Sequence, residues 1–219
     1  MRTIAFTRLA TAGLFIATLT AGALPAAQTA AEPAPKIPHM SHEEAVAYVT
    51  KHRLAIVPDN LVSPILNGDA EKVEALLSAG VDANDLTGMP KPALRLAASA
   101  CANKSLEPGT ALTMIEILLA HGAKANESAP SELSALMVAA QHCPAPVVRR
   151  LLKAGADINF RTSLGLSPLS MSFTLGNLDA AEALIDAGAR LSPEAAGKLL
   201  KDHQDDKRRV ALVKKASSR

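Results

Sequence analysis

The chain has 219 residues, enough for one or two domains with a sizeable core, and its 23 basic against 21 acidic residues leave a formal charge of +2. A balance so even argues against a nucleic-acid partner, which calls for a basic excess on one face. At 48% hydrophobic but only 2% aromatic, with no Trp, the core must be built from Ala, Leu, Val and Ile. That favours closely packed small helices over a sandwich or barrel and leaves no aromatic platforms for stacking on bases.

Arg2 and Arg8 precede the apolar run Leu9 to Leu24, which leads into the small residues Pro25-Ala26-Ala27. A positive start, an apolar segment and a small-residue exit predict a secretory signal peptide over residues 1–27, cleaved between about residues 23 and 31. Gly13, Gly22 and the scattered Thr make the run weakly apolar for a permanent span, so no stable membrane insertion is expected after cleavage. Without Arg2 and Arg8 the chain is formally neutral. Residues 28–40, rich in Pro and Ala, read as a flexible tether. Residues 41–57 read as an N-terminal capping helix: Ser41 and Glu44 have capping-box spacing, and Val46, Val49 and Leu54 supply an apolar stripe for a helix from Ser41 to Leu54.

From there an internal period dominates. Val73 to Gly80, Ile115 to Gly122, Val148 to Gly155 and Ala181 to Gly188 align as four helix ends, their glycines 42, 33 and 33 residues apart. Leu61, Leu94, Leu136 and Leu169 repeat in step at 33, 42 and 33. Each unit therefore holds a first helix with that Leu and a second helix stopped by Gly, which takes the left-handed conformation without a Cβ penalty. The apolar residues seven, four and three positions before the Gly share one helical face. Asn84, Asn126 and Asn159 each lie four residues beyond it, where a side-chain amide can bond the backbone of a tight turn. No unit can bury its stripe alone, and stacking four does so.

These segments resemble ankyrin repeats, most closely at Leu136-Met137-Val138-Ala139-Ala140, at Val147 to Asn159 and at Gly165-Leu166-Ser167-Pro168-Leu169. The resemblance implies an all-α solenoid of four helix-turn-helix repeats over residues 58–191 (58–84, 91–126, 133–159 and 166–191), with hairpin-like turns. Residues 192–219 depart from the register and read as a polar, basic C-terminal cap with amphipathic stretches at Glu194 to Lys201 and Asp206 to Lys214. The family's His after Thr-Pro-Leu is replaced by Val62, Arg95, Met137 and Ser170. In unit one Pro64 requires a helix that begins late, with Ser63 as its cap. Unit two carries extra residues within 102–113, an insertion that emerges at one face.

Seven residues beyond the landmark Leu stand Gly68, Cys101, Cys143 and Gly176, so the two cysteines occupy the same turn of adjacent units. Helices of neighbouring units lie about 10 Å apart, slightly too far for a disulfide, which wants Cα atoms roughly 4.4–6.8 Å apart. The insertion directly after Cys101 can let that turn lean towards Cys143. An exported protein meets oxidising conditions, so a Cys101–Cys143 bridge worth about 4 kcal/mol is expected, with two buried thiols as the alternative.

No phosphate-binding loop, Gly-x-Ser-x-Gly elbow or His-Glu-x-x-His pair occurs, and no cofactor or catalytic residue is assigned. His39, His42 and His52 lack Cys partners for a metal site, and none is assigned. His142 beside Cys143 allows, as a lesser reading, a thiol or hydrolytic enzyme. From Lys198 to Arg219 eight basic residues face Asp202, Asp205 and Asp206, a net +5 that reads as a solvated capping helix or as a contact for an anionic surface or acidic partner.

The resemblance implies a non-enzymatic module that binds a protein partner, the signal-peptide pattern puts it in the periplasm or secreted, and the oligomeric state is left open with a monomer expected. Its contacts would come from hairpin tips, Asp82 to Lys91, Lys124 to Glu132 and Asp157 to Leu166 (Asp82, Asp157 and Arg161 foremost). The concave first-helix face would add Arg95, Ser99, Met137, Gln141, Ser170 and Thr174. A specialised version is an inhibitor or immunity-like protein of an envelope enzyme or toxin, and a purely structural or stress-protective role is the third reading.

Overall fold

A computed structural model describes residues 37–103, 105–107, 109–127 and 133–218. The signal-peptide segment, most of the tether and residues 128–132 of the second hairpin tip lie outside these. Eleven α-helices follow one another, with no strand among the described residues. The opening helix α1 (His42–Lys51) precedes four pairs: α2 (Val62–Asn67) with α3 (Ala70–Ser78), α4 (Ala93–Ser99) with α5 (Thr110–Ala120), α6 (Ala135–His142) with α7 (Ala145–Lys153), and α8 (Pro168–Thr174) with α9 (Leu178–Asp186). A last pair, α10 (Pro193–Asp202) and α11 (Lys207–Ser217), closes the chain.

The pairs stack in two layers. The shorter helices α2, α4, α6 and α8 pack in succession, and the longer helices α1, α3, α5, α7, α9 and α11 form the second layer. Local chemistry sets the boundaries. Ser41, Asp69, Ser134, Ser167, Asn177, Ser192 and Asp206 each accept a hydrogen bond from the backbone amide three residues on, satisfying one of the free donors of a first turn. At the other ends Gly80, Gly122, Gly155 and Gly188 all have positive φ. The amide of the residue after each Gly reaches back to Leu76, Leu118, Leu151 or Leu184, and the Gly amide bonds the next residue's carbonyl, so a Schellman turn closes all four repeats.

The landmark residues Leu61, Leu94, Leu136 and Leu169 are at most 2% exposed, and Val73, Leu76, Ile115, Leu118, Val148, Leu151, Ala181 and Leu184 are fully buried. Burial of each Leu or Ile in such a layer is worth about 1.5–3 kcal/mol. One continuous core runs from Ala45 to Ala216, with Phe173 the largest side chain in it.

Four expectations change. Residues 37–40, expected in the tether, are held by the fold: Ile37 and Met40 pack on the core and the Met40 amide donates to Glu74 (3.4 Å). Helix α1 stops at Lys51, where Arg53 turns left-handed (φ 53°). Its buried residues are Ala45 and Val49, while Val46 faces out at 37% exposure. A 3-10 turn over Pro58–Leu61 runs directly into α2, so Leu61 rather than Ser63 precedes that helix. Pro64 still falls within its first turn, whose amides have no intrahelical acceptor. Finally, residues 192–219 continue the stacking. Helix α11 lies on α9 with partners 29 residues apart, Arg208 with Asp179 and Lys215 with Asp186. The chain passes from Gly188 into α10 within five residues, omitting a hairpin tip, and the shortened spacing hides this pair from a 33-residue register.

Candidate partner-binding surface

Two kinds of inter-repeat contact organise the tip side. The Asn84 amide donates to the Gly122 carbonyl (3.0 Å) while its oxygen accepts from Lys124 N–H (2.8 Å). Asn126 does the same with Gly155 (2.9 Å) and Asp157 (2.7 Å). These residues, read from sequence as supports of their own turns, instead tie each turn to the next repeat. The second contact went unread: Glu74, Glu116 and Glu182 stand six residues before the closing Gly of units one, two and four. Each meets a basic side chain on the following second-layer helix or at its C-cap: His121 (3.1 Å), Arg150 (2.7 Å) and Arg208 (3.1 Å). Glu74 is 3% exposed and also accepts from Ser78 Oγ. The recurrence of Glu was visible in the alignment, but its partners vary in type and position and only stacking pairs them.

The proposed tip residues are largely committed to their own turns. Asp82 Oδ1 accepts from the Asn84 amide (2.8 Å), and Asp157 Oδ1 from the Asn159 amide (2.8 Å). Thr87 donates likewise to Asp85 (2.8 Å from its amide), holding that carboxyl below the ordinary carboxylate value. In the third tip Thr162 and Leu166 pair through the backbone (3.0 Å), and Arg161 donates to the Gly165 carbonyl (3.2 Å). The apex this turn presents is Leu164, at 83% exposure the most exposed large apolar residue described and one that polarity-based reading of loops passes over.

On the first-helix face the six expected residues divide. Thr174 is exposed, and Arg95, Ser99, Gln141 and Ser170 are half-buried. Partial burial pushes the Arg95 guanidinium below its ordinary value. Ser99 and Thr174 hydroxyls donate to carbonyls of their own helices, and Ser170 completes a capping box with Ser167. Met137 does not belong to the surface. It has no exposed area, on a helix packed between α4 and α8.

At the opposite end of the helix pairs Cys101 and Cys143 are joined, with Cα atoms 5.0 Å apart and a sequence separation of 42. The Cys143 carbonyl is held in turn by Asn177 of repeat four (2.8 Å). A cleft of about 280 Å³ lies between Leu106, Thr110 and Leu112 on one side and Pro144 and Val147 on the other, and Cys101 forms part of its wall. An open groove of about 520 Å³ lies beside Gln141, His142 and Asn177 and also touches Cys101. Cys143 is 1% exposed and bonded, so the reading with a Cys143–His142 thiol has no free nucleophile there. His42 and His52 each bond a backbone carbonyl, of Ser78 and Tyr48, and no group of three metal-binding side chains occurs among the described residues. No helix among them is long and apolar enough to cross a membrane.

The basic tail is less polarised than its count. Arg208 pairs with Asp179 and Glu182 and Lys215 with Asp186, all on α9, while Arg209 pairs with Asp206. Asp179, Glu182 and Asp186 of α9 therefore offset part of the excess within the fold. That supports the capping role over contact with an anionic surface.

A search of curated proteins found no match. The sequence model described as ankyrin repeats (3 copies) matches residues 61–162 and 106–195, the stretch in which the Schellman turns and Asn ties recur, and the chain belongs to the ankyrin repeat family.

Proposed function

We propose that this chain is a non-enzymatic protein-binding module that works in the periplasm or another exported compartment. Ankyrin repeats are generally protein–protein interaction modules and typically lack enzymatic activity. The observation that carries the reading is the third hairpin tip, where four hydrogen bonds brace a turn whose apex Leu164 is 83% exposed. A braced apolar apex loses little entropy on binding and gains buried area. Arg161 on the same tip and Arg95, Gln141 and Thr174 along the first helices extend the contact. The inter-repeat disulfide supports an oxidising compartment, and the sequence of residues 1–27 supports export.

The test is capture of a partner from periplasmic extract by the purified chain, with Leu164→Asp and Gln141→Arg against the second-helix control Arg149→Glu. Loss of the captured protein with the first two and retention with the control is expected. No specific capture by the unaltered chain, or loss only with the control, overturns the reading. Cell fractionation tests location separately: a chain retaining residues 1–27 in the cytoplasm refutes export.

A further inference from the structure

The Cys101–Cys143 bond is the one covalent cross-link between repeats, and its two cysteines sit in different surroundings. Cys143 is 1% exposed, at the end of α6, with its backbone carbonyl fastened to repeat four through Asn177 (2.8 Å). Cys101 is half-buried in the 3-10 turn Ala100–Ala102 and lines both the 280 Å³ cleft and the 520 Å³ groove, of which Cys143 lines only the groove, so Cys101 is the more accessible residue of the pair. Among the described residues the hydrogen bonds of 103–110 close within 100–113: Asn103 to Ala100, Ser105 and Leu106 to Asn103, Thr110 to Glu107 and Thr113 to Gly109. None reaches repeat three. On the tip side that interface is tied by Asn126 and by Glu116 with Arg150, which do not depend on the bridge.

From these contrasts we infer that the bridge is a redox-responsive clasp, opened by a dithiol at Cys101, whose opening loosens the turn Ala100–Ala102 and the described residues just beyond it while the stack of repeats persists. A thiolate of the dithiol attacks Sγ of Cys101. The bond to Cys143 breaks, its electron pair passes to Cys143 Sγ, and that sulfur takes up a proton. The second thiolate of the dithiol then attacks the dithiol's own sulfur in the mixed disulfide, and Cys101 leaves as a thiolate. The net change is one protein disulfide reduced to two thiols and one dithiol oxidised to its disulfide. Cys143 stays seated by its burial and by Asn177. Cys101, only partly buried against the core, is freer to move than Cys143 once the bond is open. Local opening of this kind is expected where few long-range hydrogen bonds protect a segment. The inference stands independently of which protein, if any, the chain binds.

The experiment uses the full chain in its oxidised form. Incubation with a monothiol, glutathione, followed by acid quenching and peptide mass analysis, should place the mixed disulfide on Cys101 in about tenfold or greater excess over Cys143. After reduction with dithiothreitol, amide hydrogen exchange over 101–113 should accelerate by about tenfold or more, while 145–153 and 178–186 keep their protection. The Cys143→Ala chain should reproduce the reduced pattern without reductant. Should that variant fail to fold, the reduced unaltered chain carries the measurement. Adduct on Cys143, reduction only at denaturant concentrations that unfold the whole chain, or unchanged exchange over 101–113 would each overturn the inference.

Discussion

The three register-equivalent asparagines separate a local from an inter-repeat role. Asn126 makes two bonds to repeat three, 2.9 Å to the Gly155 carbonyl and 2.7 Å from the Asp157 amide, and Asn84 makes the matching pair to repeat two. Asn159 has the same place in its repeat, yet among the described residues its side-chain amide has no hydrogen-bond partner, because the chain after Gly188 turns directly into α10. A net contribution of about 0.5–1.5 kcal/mol per hydrogen bond puts Asn126→Ala at about 1–3 kcal/mol. Exposure of Asn126 lets water replace part of the loss, so the lower half of that span applies. Asn159→Ala should cost less than about 0.5 kcal/mol, as a surface change without a special contact does. Urea unfolding followed by circular dichroism reads both, with the slope checked for constancy so that midpoints convert to free energy. Equal losses for Asn126→Ala and Asn159→Ala would refute the inter-repeat assignment and return the asparagines to their own turns.

Glycine substitutions should split by conformation: Gly155→Ala, at φ 85°, is expected to lose about 1–2 kcal/mol although a Cβ there meets nothing within 4 Å, whereas Gly197→Ala in the exposed middle of α10 should gain about 0.5–1 kcal/mol by the same urea measurement. Met137→Asp should destabilise by about 3–5 kcal/mol, since it places an unpaired charge where no surface is exposed; a folded variant of unchanged midpoint would restore Met137 to the binding face. The α1 capping box predicts a pH effect. Ser41's amide and hydroxyl, each 2.8 Å from Glu44, hold its carboxyl below the ordinary 4.5. The folded value is depressed, so the stabilisation is fully present above pH 4.5 and is lost as pH falls through the lowered value. A carboxyl NMR titration should find the Glu44 midpoint below 4.5, rising part of the way back in Ser41→Ala; a midpoint at or above 4.5 in the unaltered chain contradicts the box.

Much of the architecture was legible because ankyrin units are local objects. The closing glycines and the buried Leu pairs act within a few residues, so their spacing alone placed four helix pairs and put Cys101 and Cys143 at one register position. Side-chain direction was less accessible. Val46 and Met137 occupy positions that a helical wheel or a family register assigns to one face, and each was inverted by the neighbour actually packed there: α1 buries Ala45 and Val49 against α3, and α6 is covered on both flanks. The C-terminal pair was legible as a cap with two amphipathic stretches, but that it extends the repeat series lay in its stacking on α9, since its spacing is shortened by a missing tip.

By itself, then, the sequence determined the repeat, its helices and its stops, since those follow from backbone conformation and local hydrogen bonding. The tertiary structure decided which polar groups face another repeat. Asn84 and Asn126 became ties, Glu74 found His121 and Glu116 found Arg150, and the basic helix α11 found the acidic stripe of α9. Those pairings depend on distances between segments some 26 to 47 residues apart, which no local period encodes.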